Sequence, residues 1–382
     1  MKIGILTIHD SPNYGACLQC YALWKYLTNQ GYDCEVIDLH RPGAHPDYIP
    51  SKRYMRCRPL KQSNFTKLKN YVKQVIGKRP KPIEFYNEES KKKFDAFNSL
   101  YRKSQSYLGP YELYNNPPDY DVYIAGSDQL WNPAQPYCIE PYFLTFVDGM
   151  VKKKVSFATS IGITELTISE KTKFKAWLSD FTSISVREKQ AKELLESFVG
   201  RSISQVSDPT FLLSPQEWET LAILPNIDKP YILYFALHID DSLLDYCKRL
   251  SQESGLDLYV LNQTQPKPVD DSYIAITDAG PRHFMGYINK AELVITDSFH
   301  GTVFSILMGA HNFYTYISEG NKRSSRIEDL YETFNLQKHI LRQNSSNSYT
   351  KLQSNLPDRN DILQVIENEK QKSIAFLGHS LK

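Results

Sequence analysis

The chain has few cysteines and no long apolar run. Its six cysteines are scattered over 382 residues, which is unlike the dense pattern of a disulfide scaffold and fits a reducing compartment. No apolar run is long enough to cross a bilayer. Because Met1 and Lys2 lead directly into a strand-like segment, we expect no signal peptide. These absences together predict a cytoplasmic protein.

A strong charge imbalance is also absent. The chain carries 45 Lys and Arg against 43 Asp and Glu, a formal net charge of +2, which argues against a dedicated nucleic-acid binder. Aromatic residues, by contrast, are plentiful, with 26 Tyr and 18 Phe. Such side chains fill cores or offer stacking faces to sugars. The length is typical of two domains.

Two common cofactor patterns are missing. The loop after the first strand has one glycine, Gly15, where a nicotinamide dinucleotide site needs several. No cluster of His, Asp and Glu has metal-ligand spacing, so we predict no metal site and activity in the presence of a chelator. The sequence therefore predicts a protein that works without a bound cofactor.

Alternating strand-like and helical segments predict an α/β fold with parallel sheets. The first unit is a strand over 3–8, a helix over 16–30 that Gly31 ends, and a strand over 34–38. Further strands are predicted over 121–125, 155–158, 183–186, 231–237, 256–261, 273–276, 293–297 and 312–317. We interpret the chain as two Rossmann-like domains that face each other across a cleft.

The predicted N-terminal domain covers residues 1–210 and the predicted C-terminal domain covers residues 211–345. The break between them lies near Asp208-Pro209, because the residue before a proline is pushed out of helical geometry. A polar tail over 346–382 follows, with an amphipathic helix near 359–376.

Residues 40 to 118, approximately, are interpreted as a basic helical insertion in the N-terminal domain, with helices near 65–77 and 87–104. Within it, residues 48–83 contain eleven Lys or Arg and no Asp or Glu. Such a segment most often packs on its own domain. A peripheral contact with an anionic membrane surface is kept as a second hypothesis.

The run Ser298-Phe299-His300-Gly301 is the most informative motif. It joins the predicted strand 293–297 to a helix, and ligands of parallel α/β sheets bind at the carboxyl ends of strands. The free amides at the start of a helix attract anions, and a histidine there can move a proton near neutral pH. His300 is therefore a candidate catalytic residue, and Ser298, Phe299 and Gly301 are candidate substrate-binding residues.

Two predicted strand ends of the N-terminal domain also carry polar residues. Asn13 and Tyr14 offer hydrogen bonds and a stacking face for a ligand, and a simple turn is an equal alternative. Asp128 can act as a general acid or base if burial raises its pKa, or as a helix N-cap. The candidate substrate-binding residues at these two positions are Asn13, Tyr14, Gly15, Ser127 and Gln129.

Cations near strand ends are candidates for anion binding. Arg187 follows the strand 183–186, where it can bind a carboxylate or phosphate in a forked contact, or form a salt bridge to Glu188 or to the opposite domain. Lys322, Arg323 and Arg326 cluster near the start of a helix, where cations are disfavoured unless an anion is near. A solvated basic loop is the alternative for this cluster.

Cys17 and Cys20 have the spacing of a redox pair near a helix start. They also fall on one apolar stripe of the predicted helix. Because cysteine is so often buried, core packing is the favoured interpretation.

Several blocks in order along the chain resemble the polysaccharide pyruvyl transferases. The N-terminal domain contributes Ile3-Gly-Ile-Leu-Thr, Asn13-Tyr-Gly-Ala16, Leu18-Gln19, Tyr120-Asp121, Gly126-Ser-Asp-Gln-Leu-Trp-Asn132 and Ser185-Val-Arg-Glu188. Asp208-Pro-Thr-Phe-Leu-Leu213, Thr296-Asp-Ser-Phe-His-Gly-Thr302 and Arg326-Ile327 follow. The sequence departs from the family pattern at Cys17 and Cys20, and at Ser298, where many members carry arginine.

The resemblance implies a fold like the GT-B glycosyltransferases and transfer of the enolpyruvyl group of phosphoenolpyruvate onto a sugar. The product would be a cyclic pyruvate ketal in cell-surface polysaccharide biosynthesis. The implied donor site lies in the C-terminal domain beside His300, with Arg187 and Arg326 holding its anionic groups. Asp128, as the base, and Asn13 would face the acceptor.

The acceptor class stays open among a nucleotide sugar, a lipid-linked oligosaccharide and a finished polysaccharide. Two other functions are compatible with the sequence. One is a glycosyltransferase that uses a nucleotide sugar, which the fold alone allows. The other is a non-catalytic protein that binds glycans or assists their assembly.

Overall fold

The computed structural model describes residues 1–41, 48–49, 57–58, 87–237, 239–262, 271–318, 325–343 and 345–382. Within these residues, strands and helices alternate along the chain and form two parallel sheets. The first sheet contains β1 (Lys2–Leu6), β2 (Asp33–Leu39), β3 (Lys103–Tyr107), β4 (Val122–Ala125), β5 (Lys153–Thr159), β6 (Ser183–Val186) and β7 (Ser204–Gln205). The second contains β8 (Tyr231–Ala236), β9 (Asp257–Asn262), β10 (Ile274–Ile276), β11 (Leu293–Thr296), β12 (Phe313–Ile317) and β13 (Ile340–Arg342).

Both sheets have the Rossmann strand order. The order is β3-β2-β1-β4-β5-β6-β7 in the first sheet and β10-β9-β8-β11-β12-β13 in the second. In each sheet the first strand lies in the middle and the chain winds outward in both directions, which places a topological switch point beside it. The central strands β1, β4, β8 and β11 are buried along almost their whole length because they are apolar on both faces. The predicted pair of Rossmann-like domains is confirmed.

The helices fill the connections between strands. They are α1 (Tyr14–Asn29), α2 (Glu88–Asn98), α3 (Pro110–Asn115), α4 (Ile168–Trp177), α5 (Lys189–Val199), α6 (Pro215–Leu221), α7 (Asp241–Ser254), α8 (Pro281–Lys290), α9 (Phe299–Leu307), α10 (Ser325–Thr333), α11 (Tyr349–Gln353) and α12 (Arg359–Leu381). Helices α4 and α6 each begin with a capping box, in which Thr167 and Ser214 are the N-cap residues. Most of the helices therefore lie within a few residues of the positions that periodicity predicts.

The range 40–118 is not a simple insertion. Helix α2 ends at Asn98, and Lys103–Tyr107 then forms β3 at the edge of the first sheet, beside β2. The sequence analysis missed this strand because Lys-Ser-Gln-Ser-Tyr has no apolar run, which is acceptable at an edge where one side faces solvent. The predicted helix 65–77 lies outside the described residues.

Most of the basic segment 48–83 also lies outside the described residues, so the membrane hypothesis stays a prediction. Arg58, the cation among the described residues of this segment, forms a bidentate ion pair with Glu170 of α4. This pair attaches that part of the segment to the first domain. In the described part of the chain, no helix combines the length and the apolar character needed to cross a membrane.

The two domains share one apolar core. A single cluster of buried side chains includes residues from β1, α1, α8 and α9. At its centre the ring of Tyr14 stacks on Phe284, with centroids 4.9 Å apart and planes 2° apart, and lies 5.1 Å from Phe94. Helix α2 adds polar contacts across the same junction, including Lys93 Nζ to Asp278 Oδ2 at 2.6 Å. The carboxyl ends of the two sheets are therefore held against each other.

Helix α12 leaves the second domain and returns to the first. Near its start, Arg359 donates from Nη1 to the carbonyl oxygen of Ile306, at the end of α9, over 2.5 Å. Further along, Phe376 packs 6.2 Å from Phe157 of β5. The helix also packs on the short 3₁₀ turn Pro209–Leu212, which links the two domains. It therefore spans the junction that the two sheets face.

Candidate active site

The motif at residues 298 to 301 forms the first turn of α9. Ser298 is the N-cap, and its Oγ accepts a hydrogen bond from the Gly301 amide at 3.2 Å. Its carbonyl oxygen accepts from the Thr302 amide and hydroxyl, each at 3.0 Å. The Ser298 hydroxyl therefore satisfies the Gly301 amide at the start of the helix, and the assignment of both residues to substrate binding stays a prediction.

His300 lies where the two domains meet. His300 as a whole is 8% exposed to solvent. Its ring packs directly on Gly15 in the first turn of α1. A Cβ at position 15 would overlap Cγ and Nδ1 of the imidazole. Gly15 is therefore needed for a close approach of His300 to the N-terminal domain, and the structure brings these two predicted site residues together.

Asp208 is the partner of His300. Its Oδ2 lies 3.5 Å from His300 Nε2 and 2.5 Å from Arg187 Nη1. Its Oδ1 accepts hydrogen bonds from the Thr210 amide and hydroxyl at 3.1 and 2.8 Å. Ser127 Oγ, another predicted site residue, lies 3.2 Å from Oδ2. A carboxylate on the linker between the domains thus joins groups from both of them.

The environment of Asp208 keeps it ionised. The residue is 1% exposed, and burial alone would raise the pKa of its carboxyl. The neighbouring imidazole of His300, the Arg187 guanidinium and the Thr210 amide outweigh burial and hold that pKa well below its usual range. A carboxylate that stays charged can orient the imidazole of the neighbouring histidine.

Arg187 forms an ion pair with Asp208, which lies between the two domains. The suggested bridge to Glu188 is absent: Arg187 pairs with Asp208, and Glu188 contacts the Ser160 hydroxyl instead. The Arg187 side chain is 4% exposed. Its Nε and Nη2 make no hydrogen bond to any described residue. Two buried N–H donors are therefore available to a ligand.

Phe299 is covered by two guanidinium groups. The Cζ atoms of Arg187 and Arg326 lie 4.3 and 5.5 Å from the centre of its ring. Cations over an aromatic face are attracted to its electrons. The side-chain amide of Gln129 also meets Arg326, and with its oxygen turned toward the guanidinium it accepts from Nη1 and Nη2 at 2.7 Å. Gln129, Phe299 and Arg326 are thus brought together from both domains.

Asp128 takes part in the turn after β4. It adopts a left-handed backbone conformation with φ of 73°, and its half-buried carboxylate accepts a hydrogen bond from the Gln129 amide at 2.7 Å. Its carbonyl oxygen accepts from the Ser160 amide at 2.9 Å. These bonds stabilise the turn after β4. Its assignment as the catalytic base stays a prediction.

Asn13 and Tyr14 both serve the fold. Asn13 is the N-cap of α1, and its side chain accepts from the Ala16 amide at 3.0 Å. The expected stacking face of Tyr14 is not open to a ligand, because the ring lies in the aromatic cluster of the shared core and the residue is 4% exposed. Lys322 and Arg323 lie outside the described residues.

Cys17 and Cys20 are fully buried in the core, which confirms the packing interpretation. Burial raises the pKa of the Cys17 thiol to about 12 and raises that of Cys20 well above its usual value. A thiol that stays protonated is a poor nucleophile. No group of three or more His, Cys, Asp or Glu side chains suited to a metal ion occurs among the residues that the structure describes.

A cavity of about 380 Å³ adjoins this cluster. Arg187, Asp208, Phe299 and Arg326 line one side of it. His300 does not line it but lies beside Phe299 and contacts Asp208. The cavity therefore offers two arginines to an anion, next to a histidine and carboxylate pair that can handle a proton.

Sequence reasoning missed Asp208 and the cavity wall formed by α12. Asp208 lies before a proline and was interpreted as a break between domains, although it belongs to a block of the family resemblance. The signal that could have identified it is a charged residue shortly after a strand that ends at Gln205, because ligands of parallel sheets bind at the carboxyl ends of strands. The sequence contains no comparable signal for the residues of α12 that line the cavity.

Gly15 provides a direct test of the close packing on His300. In Gly15→Ala the new methyl group must displace the imidazole, so we expect at least a tenfold loss of activity, since misplacement by about 1 Å can cost a hundredfold. Overpacking should also lower the free energy of unfolding by about 1–3 kcal/mol. Steady-state kinetics and urea unfolding measure the two effects.

Gly378→Ala is the matched control for this substitution. Gly378 lies inside α12, and no neighbouring atom lies within 4 Å of the position that an alanine methyl group would occupy. Alanine there should leave activity unchanged and stabilise the helix by about 0.5–1 kcal/mol. Equal behaviour of the two alanine variants would refute the packing argument for Gly15.

Comparisons with known proteins agree with this architecture. Residues 13–318 match the family described as polysaccharide pyruvyl transferase. The fold is similar to that of E. coli trehalose-6-phosphate synthase bound with UDP-2-fluoro glucose. The TM-score is 0.52 and the identity 10%, with 100% of this chain and 99% of the other chain covered. The fold is also similar to that of Arabidopsis thaliana UGT89C1 complexed with quercetin, with a TM-score of 0.50, 11% identity, and 99% and 98% covered.

No curated protein matches the sequence significantly. Both of these solved structures are GT-B glycosyltransferases. At this level of identity the similarity shows the fold, and the predicted GT-B architecture is confirmed.

Proposed function

Because this chain belongs to the polysaccharide pyruvyl transferase family, we propose that it transfers the enolpyruvyl group of phosphoenolpyruvate onto a sugar and forms a pyruvate ketal. The single observation that supports this donor is the cavity at the domain junction. Arg187 and Arg326 line it, and two N–H donors of Arg187 are buried without a hydrogen-bond partner among the described residues. A small ligand with a phosphate and a carboxylate fits such a site, because guanidinium groups bind both in forked contacts.

Ketal formation requires one proton transfer to the donor and two from the acceptor. A proton adds to the terminal methylene, which becomes a methyl group and leaves positive charge on the central carbon. One sugar hydroxyl attacks that carbon and loses its proton. The second hydroxyl then displaces phosphate, which leaves with the other proton as inorganic phosphate. Atoms and charges balance without an oxidant or reductant.

The proposed roles follow the geometry of the site. Arg187 and Arg326 hold the anionic groups of the donor, which neutralises charge on the departing phosphate. His300, oriented by Asp208 at 3.5 Å, supplies the proton for the methylene or for the leaving group. Arg326 lies over the ring of Phe299 and provides a second cation near Ser298, where many family members carry arginine.

The acceptor belongs on the side of the N-terminal domain in this proposal. Asp128 at the end of β4 is the proposed base for the attacking hydroxyl, because it is half-buried at the sheet edge that faces the second domain. The acceptor class stays open among a nucleotide sugar, a lipid-linked oligosaccharide and a polysaccharide. A cytoplasmic location is part of the same proposal.

The GT-B fold keeps a second function open, namely a glycosyltransferase that uses a nucleotide sugar. The two arginines at the cavity favour a compact anionic donor over this alternative. A non-catalytic glycan-binding protein would need neither the buried donors of Arg187 nor the pair of Asp208 and His300.

The deciding experiment is incubation of the full chain with phosphoenolpyruvate and a panel of acceptors, with and without a chelator. We expect release of inorganic phosphate and an acceptor whose mass has grown by one pyruvate ketal, with equal yield in the chelator. Parallel reactions contain nucleotide sugars without phosphoenolpyruvate. Sugar transfer in those reactions, with no ketal in any other, would replace this proposal by the glycosyltransferase.

A further inference from the structure

The cavity at the domain junction has a second wall that the family comparison does not cover. The matched family region ends at residue 318, whereas this wall is formed by Val365, Asn368, Glu369 and Lys372 of α12. Facing them are Arg187 and Arg326 on the other side. Because α12 returns to the first domain across the junction, its polar face closes the space in which the donor is proposed to bind.

Glu369 and Lys372 form an ion pair on this wall. Lys372 Nζ lies 2.6 Å from Glu369 Oε1, and Ser207 Oγ donates to Glu369 Oε2 at 2.5 Å. Glu369 is 8% exposed, whereas the Lys372 side chain is 65% exposed. The carboxylate is thus fixed at the cavity, whereas most of the Lys372 side chain is exposed and is not enclosed by its neighbours.

Among the described residues, the cavity is lined by three cationic side chains and three carboxylates. The cations are Arg187, Arg326 and Lys372, and the carboxylates are Asp208, Asp329 and Glu369. A cation that leaves its internal partner therefore adds to the attraction that the two arginines exert on an anionic ligand. Lys372 is the most exposed of the three, and its partner is a carboxylate on the same helix.

We propose that α12 completes the donor site, with Lys372 binding an anionic group of the ligand and Glu369 competing with the ligand for that lysine. The inference rests on the proposed function, which supplies phosphoenolpyruvate as the ligand. Glu369 then limits the affinity of the site for anions, and this lets phosphate leave after transfer. Lys372 and Glu369 act on affinity in opposite directions.

Opposite effects of two neighbouring substitutions test the proposal. Binding of phosphoenolpyruvate, and separately of inorganic phosphate, is measured by titration calorimetry on the full chain. Lys372→Gln should weaken binding of both by about threefold to tenfold, and Glu369→Gln should strengthen it by a similar factor, as expected for one partly exposed charge near an anion. Lys370→Gln, on the same helix but not lining the cavity, should leave both affinities unchanged.

The possible outcomes separate this inference from the proposed function. Equal affinities in all four proteins, or a change of the same sign in both Lys372→Gln and Glu369→Gln, would overturn the role of α12 and leave the donor proposal intact. A wild-type protein that binds neither phosphoenolpyruvate nor phosphate would overturn both. Thermal unfolding of each variant shows whether a loss of binding reflects a loss of folding.

Discussion

Replacing His300 by alanine should lower the rate of pyruvyl transfer by about a hundredfold or more, because loss of a positioned acid or base typically costs that much. The loss should appear mainly in kcat. The substitution removes the imidazole that Asp208 orients, while Arg187 keeps its ion pair with Asp208 and its contact with Phe299. Donor binding by calorimetry should therefore change far less than turnover.

His311→Ala is the control for the removal of a histidine. The His311 side chain is 52% exposed and lies 3.4 Å from Glu292, outside the cavity. We expect wild-type kinetics from this variant. Turnover near the wild-type level in His300→Ala, with the control also active, would remove His300 from the mechanism and return attention to the other candidate groups.

The predictability of the fold follows from where its strands lie. Central strands such as β8 and β11 are buried on both faces, so their sequences are continuous apolar runs that identify them directly. Edge strands carry no such run: β3 reads Lys-Ser-Gln-Ser-Tyr, and β7 has only two residues. Their pairing is decided by neighbours far away in the chain, which a local pattern does not contain.

The site was predictable only in part, for a related reason. His300, Arg187 and Arg326 stand out because charged groups at strand ends and helix starts are unusual. Ser298 and Asn13 lie at equivalent positions, yet they cap helices. A polar residue at a strand end satisfies a backbone donor or meets a ligand, and only the three-dimensional contacts distinguish the two. The contact of Asp208 with His300 likewise depends on the packing of two domains.

The ion pair of Arg187 and Asp208 should dominate the stability of the junction. Both side chains are almost fully buried, at 4% and 0% exposure, so Arg187→Ala leaves the Asp208 carboxylate in the interior without its guanidinium partner. We expect the free energy of unfolding to fall by about 3–5 kcal/mol, measured by urea unfolding near neutral pH. Donor binding should be lost as well, since the same guanidinium carries the two unpartnered donors.

A second substitution and the pH dependence identify the cause of this loss. Adding Asp208→Asn to Arg187→Ala should recover part of the stability, because the uncompensated buried charge is then removed. The pKa of Asp208 in the folded state lies below its ordinary value of 3.8. The stability that its ionised form contributes is therefore fully present above pH 3.8, and it is lost as the pH falls through the folded-state pKa. The stability difference between wild type and Arg187→Ala should therefore shrink below about pH 4. A difference that stays constant into acid, with no recovery in the double variant, would mean that lost packing rather than the buried charge destabilises the junction.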